Sequence, residues 1–242
     1  MADKQTTTAA AEPMDVVQRA KGFWEKNSKM IIIIGSVVII VIGGYFSYKY
    51  LYQQPREQKS SELIFPAEKL FDKIASNPIY NKDTVNIVLN GGVLGGTNIT
   101  GLLKIISSYS GTSSANRAEY IVGACYLQIK EFDKAIKHLK EFDANGAYQI
   151  ESKAYLLLGH AYAEKKNTDD ALSYYKKAAS VNDKDEASSS AALYIAGMYA
   201  ENIGKTKEAI DLFQQLKDNY PNSSVVQSGE ADKYLARLGV TK

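Results

Sequence analysis

Apolar residues in the C-terminal half of the chain recur three and four positions apart, in pairs of short runs separated by polar turns. This spacing is typical of amphipathic helices. A glycine interrupts the first run of each pair, at Gly123, Gly159 and Gly197, which lie 36 and 38 residues apart. Two further columns repeat at the same intervals: Ala135, Ala171 and Ala209, and Leu139, Tyr175 and Phe213. A period in the mid-thirties made of two helical runs predicts a helix-turn-helix solenoid.

The repeated glycine needs a packing reason, because glycine inside a helix costs about 1 kcal/mol relative to alanine. We predict that the small residues let helix A and helix B of one repeat approach closely, while bulky residues fill the neighbouring repeat. On this interpretation Gly159→Leu overpacks the core. Gly159→Ala is expected to be tolerated far better and even to favour the helix.

The repeats resemble the tetratricopeptide repeat (TPR). In the second repeat the resemblance rests on six positions: Leu158, Gly159, Tyr162, Ala171, Tyr175 and Ala178. The third repeat adds Pro221 after helix B, as that family does, whereas the end of the first repeat departs from the pattern at Phe142 and Ala147. The resemblance implies a protein-binding array.

A second pattern lies upstream, where Met30 to Tyr48 form an uncharged apolar run between Lys29 and Lys49. Nineteen helical residues span about 28 Å, close to the hydrocarbon thickness of a bilayer. Aromatic residues flank both ends, as in membrane interfaces. A cleaved signal peptide is the alternative, but its apolar core is about 7–15 residues long and precedes a small-residue cleavage site. We therefore predict an uncleaved anchor.

The predicted fold is all-α: a single N-terminal transmembrane helix followed by a TPR-type helix-turn-helix solenoid. The chain divides into a tail at 1–29, an anchor at 30–50, a juxtamembrane linker at 51–61, irregular N-terminal helices of the solenoid at 62–110, three repeats at 116–222 and one C-terminal capping helix at 223–242.

The tail and the glycine-rich stretch are less clearly predicted than the span and the repeats. The tail segment 13–28 is either an interfacial amphipathic helix or disordered. The glycine-rich stretch 91–101 is expected to be a flexible turn between helices. It is not a nucleotide loop, because no lysine follows Gly96 as phosphate binding requires.

A slight basic excess before the span favours a cytoplasmic tail and an external domain.

Charge and reactive residues argue for binding rather than chemistry. The net charge is +2 with both signs interspersed, so no nucleic-acid footprint is expected. The single cysteine, Cys125, is expected to be a buried, inert thiol. His138 and His160 lie on different repeats without a second metal ligand at helical spacing. We expect no metal, no cofactor and no enzyme activity.

The face of the A helices that repeat packing leaves free predicts a groove for apolar segments of a partner polypeptide. Its candidate residues are Arg117, Tyr120, Ala124, Leu127, Lys153, Leu156, His160, Ala163, Tyr194, Met198 and Glu201. Tyr120 and Tyr194 are predicted to bind the partner rather than support the fold; packing between repeats is the alternative. A carboxylate clamp is not expected, because Tyr120 and Ala124 stand where clamp-type TPR domains carry lysine and asparagine.

Over residues 15–238 the layout resembles the YfgM-like family, in "AEKLFDKI" and "GLLKIISSYSGTSSANRAEYIVGACYL" as well as in the span and repeats. The lysine-rich form is similar to Bacteroidetes members. The resemblance implies a single-pass bacterial inner-membrane protein with a cytoplasmic N-terminus and a periplasmic domain. Its implied role is an ancillary subunit or chaperone of the Sec translocon, and its implied partners are the translocon, a membrane-anchored periplasmic prolyl isomerase chaperone and exported polypeptides.

Two other classes use TPRs at membranes. An outer-membrane assembly lipoprotein requires a lipidated cysteine near its N-terminus, which Cys125 does not provide. An organelle import receptor with a signal anchor would instead face the cytosol.

Overall fold

The structure is a computed structural model that describes residues 13–76 and 82–240. Its chain separates into two units, Met1–Pro55 and Arg56–Lys242. The first contains α1 (Pro13–Ser47) and a π-helical turn (Tyr48–Gln53). The side chains along the apolar part of α1 are exposed, and among the described residues this is the one helix long and apolar enough to cross a membrane. The tail from Pro13 onward is helical and continuous with the span.

Six helices of the second unit form three antiparallel pairs. The A and B helices are α5 (Ser113–Gln128) and α6 (Phe132–Glu141), α7 (Tyr148–Glu164) and α8 (Thr168–Ser180), and α9 (Glu186–Asn202) and α10 (Thr206–Asn219). The predicted helix-turn-helix solenoid is therefore confirmed. The B helix of the first pair is the shortest, with 10 residues against 13 and 14 in the others.

The glycine column marks the crossing of each A helix with its own B helix. A β-carbon built on Gly123 would lie 2.5 Å from Leu139 Cγ, and one on Gly159 would lie 2.4 Å from Tyr175 Cε1. The equivalent distance from Gly197 to Phe213 is 2.8 Å. Close A–B packing thus explains the glycines. It also means that alanine at Gly159 forces the buried Tyr175 ring to move, contrary to the expectation from helix propensity alone.

Every A helix ends in the same way. The residue seven positions after the glycine has a left-handed backbone: φ is 64° at Lys130, 59° at Lys166 and 78° at Gly204. In each case the next residue donates its N–H to the carbonyl five positions earlier, at 2.9–3.0 Å. These bonds are those of a Schellman motif, which satisfies the last carbonyls of a helix and reverses the chain.

The C-terminal segment was expected to form one capping helix but forms two, α11 (Ser224–Gln227) and α12 (Glu230–Arg237). Gly229 separates them with a φ of 75° that a helix cannot contain. Gly239 closes α12 with the same left-handed turn, and Val240 donates to the Leu235 carbonyl at 2.9 Å. The helix α12 is therefore the A helix of an incomplete fourth repeat.

The N-terminal part of the second unit contains α2 (Gln54–Ala75) from Arg56 onward, α3 (Lys82–Asn90) and α4 (Leu102–Ser108). They bury Ile64, Val85 and Ile105 in one cluster with α5. Because α2 begins at Gln54, directly after the π-helical turn, the juxtamembrane linker predicted at 51–61 is helical.

The glycine-rich stretch is not a flexible turn but a β-hairpin of β1 (Gly91–Leu94) and β2 (Thr97–Thr100). Leu94 pairs with Thr97, which leaves a two-residue loop. Both loop residues, Gly95 and Gly96, have positive φ, as a type I′ turn requires.

Candidate protein-binding surface

The two ends of the predicted A-helix face are closed by ion pairs with neighbouring helices. Arg117 Nε lies 2.8 Å from Glu68 Oε1 on α2. At the other end, Nε and Nη2 of Arg237 on α12 both donate to the Glu201 carboxylate. Arg117 and Glu201 are thus engaged within the chain, and a partner must compete with these pairs to reach them.

On the third A helix the predicted face is covered. The Tyr194 ring packs edge-on against Phe213 and Tyr234, with centroid separations of 6.2 and 5.6 Å, and its hydroxyl lies 3.5 Å from the Glu230 carboxylate. Burial, together with the neighbouring Tyr234, raises the pKa of Tyr194 to about 12. Met198 packs against the same core. The prediction that Tyr194 lies free of structural packing is therefore wrong, since α12 occupies the place of a next A helix.

The first two A helices leave more of the face accessible. Lys153 and His160 are exposed, and Leu127 is half-buried. Leu156 and Ala163 are half-buried against the core of the second and third repeats, and Ala124 is buried. The open part of the predicted groove thus runs along α5 and α7.

His160 combines exposure with an internal contact. Its Nδ1 lies 2.8 Å from the hydroxyl of Tyr175, the residue that packs on Gly159. Partial burial lowers the pKa of the His160 imidazole, and the nearby Glu164 carboxylate opposes this shift. The neutral ring with Nδ1 as acceptor is the form that suits the tyrosine hydroxyl.

Residues 156–224 match the family model described as tetratricopeptide repeat, which covers most of the second and third helix pairs. The match begins within α7 and ends after α10. The array is a TPR solenoid. No curated protein matches the chain.

The TPR array carries a cavity of about 450 Å³ that the sequence did not predict. It lies beside Tyr120, whose ring contacts Phe142 at a centroid separation of 5.4 Å. Burial raises the pKa of Tyr120, in keeping with a ring set into the surface. The one signal in the sequence was the departure of the first repeat from the TPR pattern at Phe142 and Ala147.

The reactive side chains of the TPR domain are used in packing. Cys125 is fully buried, and burial raises the pKa of its thiol to about 12, so the nucleophilic thiolate is not available near neutral pH. His138 Nδ1 lies 2.6 Å from Glu119 Oε2, and its ring stacks on Tyr126. Within residues 13–76 and 82–240, no group of three or more histidine, cysteine, aspartate or glutamate side chains is arranged to hold a metal ion.

Proposed function

We propose that this protein is a membrane-anchored TPR scaffold of the bacterial inner membrane, with its TPR domain in the periplasm. In this role it is an ancillary subunit or chaperone of the Sec translocon and assists exported polypeptides. The observation that carries the proposal is a TPR array, a fold that typically binds partner proteins without catalysis, in a chain with a single candidate membrane span among its described residues. The resemblance to the YfgM-like family supports the choice of the translocon and a periplasmic prolyl isomerase as partners.

The partner surface is the open part of the A-helix face. It is formed by Tyr120, Leu127, Lys153, Leu156, His160 and Ala163. Half-buried aromatic and aliphatic side chains provide contact area, and Lys153 and His160 add polar groups at the edge. The third A helix contributes little, because α12 covers Tyr194.

Site-specific photo-cross-linking in intact cells tests this surface. A photoreactive amino acid at Leu127 or Ala163 is expected to cross-link to translocon subunits and to exported chains. The matched control is Gln215, an exposed residue on α10 away from the A helices. Equal cross-linking from Gln215 would count against the A-helix face, and no translocon product from any position would overturn the proposed partner.

The compartment is tested by fusing a reporter enzyme to the C-terminus of the full chain. A reporter that functions only outside the cytoplasm is expected to be active. Activity of a cytoplasmic reporter at the same position would contradict a periplasmic TPR domain and favour a receptor that faces the cytosol.

A further inference from the structure

The cavity beside Tyr120 arises from the shortened B helix of the first repeat. The chain leaves α6 after Glu141, and Phe142 is extended, with φ −71° and ψ 130°. One repeat later the corresponding residue, Ala178, is helical and buried within α8. The last helical turn is thus replaced by the loop 142–147, and a space of about 450 Å³ remains between this loop, α2 and α5. This volume lies within the usual range of ligand pockets.

Much of the pocket lining is apolar, and hydrogen bonds hold the loop 142–147 that forms one side of the pocket. Its apolar lining includes Phe71, Tyr120, Ile121, Phe142 and Ile150. The Asn116 side chain grips the loop: its Nδ2 donates to the Asp143 carbonyl at 2.6 Å, and its Oδ1 accepts the Asp143 N–H at 2.8 Å. A pocket whose wall is already ordered loses less entropy when a ligand enters.

The surroundings of the pocket are acidic. Glu68, Asp72 and Asp143 line it, with Arg117 as the one cation among its described lining residues. A second cavity of about 410 Å³ shares Asn116 and Asp143 and adds Glu119 and Glu141. Five carboxylates and one guanidinium therefore line the two cavities, in a protein whose net charge is +2. The guanidinium is paired with Glu68, and Glu119 is hydrogen-bonded to His138.

We propose that this pocket binds a polypeptide segment in which a bulky apolar side chain is flanked by lysine or arginine. The apolar side chain enters beside Tyr120 and Phe142, and the flanking cations lie against Asp72, Asp143 and the second cavity. Charge complementarity selects this occupant over an acidic or uncharged segment. The inference rests on the proposed function, since it specifies which segments of a partner chain the TPR domain prefers.

The test uses the full chain in lipid nanodiscs and fluorescence anisotropy of labelled twelve-residue peptides. The first peptide carries a Leu-Phe pair flanked by two lysines on each side. In the second the lysines are glutamates, and in the third the Leu-Phe pair is Ser-Ser. We expect binding of the first peptide, weakening as salt is raised, and at least about tenfold weaker binding of the other two, as expected for loss of the apolar contact or reversal of the charge.

Two variants locate the binding. Ala144→Trp, which fills the pocket from the loop, is expected to weaken binding of the first peptide by about tenfold or more. Asp72 is exposed, so the fold is expected to tolerate Asp72→Asn, and this variant should weaken binding of the first peptide about two- to fivefold. The matched controls Ala187→Trp and Asp218→Asn are exposed elsewhere on the array and should leave binding unchanged.

The inference is overturned if the three peptides bind alike, if Ala144→Trp binds as tightly as the wild type, or if the pocket proves to mediate self-association that Ala144→Trp abolishes. These outcomes differ from a failure of the proposed function. Selective peptide binding without cross-links to the translocon would retain the pocket and reject the translocon role. Cross-links to the translocon that persist without peptide selectivity would retain the translocon role and reject the pocket.

Discussion

Gly159 lies where helix α7 packs against the Tyr175 ring of helix α8, with no room for a larger side chain. The constant offset of 16 residues between each glycine and its bulky partner, Leu139, Tyr175 or Phe213, was visible in the sequence as two columns that shift together. The distance between them was not. Helix propensity favours alanine over glycine at this position. The packing favours glycine, because a β-carbon at residue 159 would lie only 2.4 Å from the Tyr175 ring.

We therefore predict that Gly159→Ala destabilises the TPR domain by about 1–3 kcal/mol, since the buried ring must move to admit one methyl group. Thermal melts monitored by circular dichroism would measure the change. In a Tyr175→Val background, which removes the ring, the same alanine should no longer destabilise and should gain up to about 1 kcal/mol from helix propensity. An equal loss in both backgrounds would show that the ring is not the cause.

Tyr194 is the residue whose role the sequence misassigned. Helical periodicity placed it on a face free of repeat packing, and the array ends with a partial repeat that covers that face. The sequence predicts one capping helix at 223–242, but its break at Gly229, and with it the placement of Tyr234, depends on a backbone conformation that apolar spacing does not report. Hence the third A helix does not present the free face that its spacing predicts, and the binding role of the first two stays a prediction.

We expect Tyr194→Ser to destabilise the protein by about 1–3 kcal/mol, because it removes the ring between Phe213 and Tyr234. A loss of 1 kcal/mol corresponds to a fall in melting temperature of about 2–4 °C for a domain of this size. Tyr148→Ser is the control, since Tyr148 is 53% exposed and should change the melting temperature little. Melting temperatures that fall equally in both variants would contradict the capping role of α12.

At the scale of elements, the turn between helices A and B is the most uniform part of the array. The same Schellman closure ends α5, α7, α9 and α12, with lysine at the left-handed position in the first two and glycine in the others. Glycine is typical of this position, as at Gly204 and Gly239, but Lys130 and Lys166 are not residues that signal a left-handed backbone, so the shared conformation could not be predicted. The backbone angles and the hydrogen bonds together show that the four turns are equivalent.

This equivalence predicts opposite responses in two repeats. Gly204→Ala should cost about 1 kcal/mol or somewhat more, since a β-carbon is strained at a φ of 78°. Lys166→Gly relieves the same strain and adds freedom to the unfolded chain, so the net change should be close to zero or slightly stabilising. Glu164→Gly, in the last turn of α7, has no such strain to relieve and should destabilise. Urea unfolding of the three variants measures these free energies, and a loss for Lys166→Gly as large as that for Glu164→Gly would contradict the argument.

At the scale of the whole molecule, the sequence predicted the order of parts well: an apolar helix first, irregular helices next and a repeat array last. It predicted the parts less well where the backbone departs from repetition, as in the hairpin at 91–100 and the loop 142–147. The binding pocket proposed here lies at such a departure. A consensus repeat ends in a full B helix and would fill the space, so the pocket is a property of the irregular first repeat and not of the array.

The exposed apolar surface of α1 predicts that the protein is attached to a membrane. Along α1, side chains such as Ile39 and Ile40 are each 71% exposed among the described residues, and an apolar surface of this length suits burial in lipid. We therefore predict that the full chain remains in the membrane pellet after carbonate or high-salt extraction. Arginine near the centre of a span costs about 2.5–3.5 kcal/mol per residue, so Val37→Arg combined with Ile40→Arg should shift the protein towards the soluble fraction.

The matched control is Val16→Arg combined with Val17→Arg, which adds the same charge to α1 outside the apolar run and should leave the protein in the pellet. Immunoblots of pellet and supernatant measure the distribution. Complete extraction of the wild-type chain by carbonate would exclude a membrane-spanning α1. The exposed apolar face of that helix would then need a protein partner, and the TPR domain would lose the fixed position at the membrane on which its proposed access to exported chains depends.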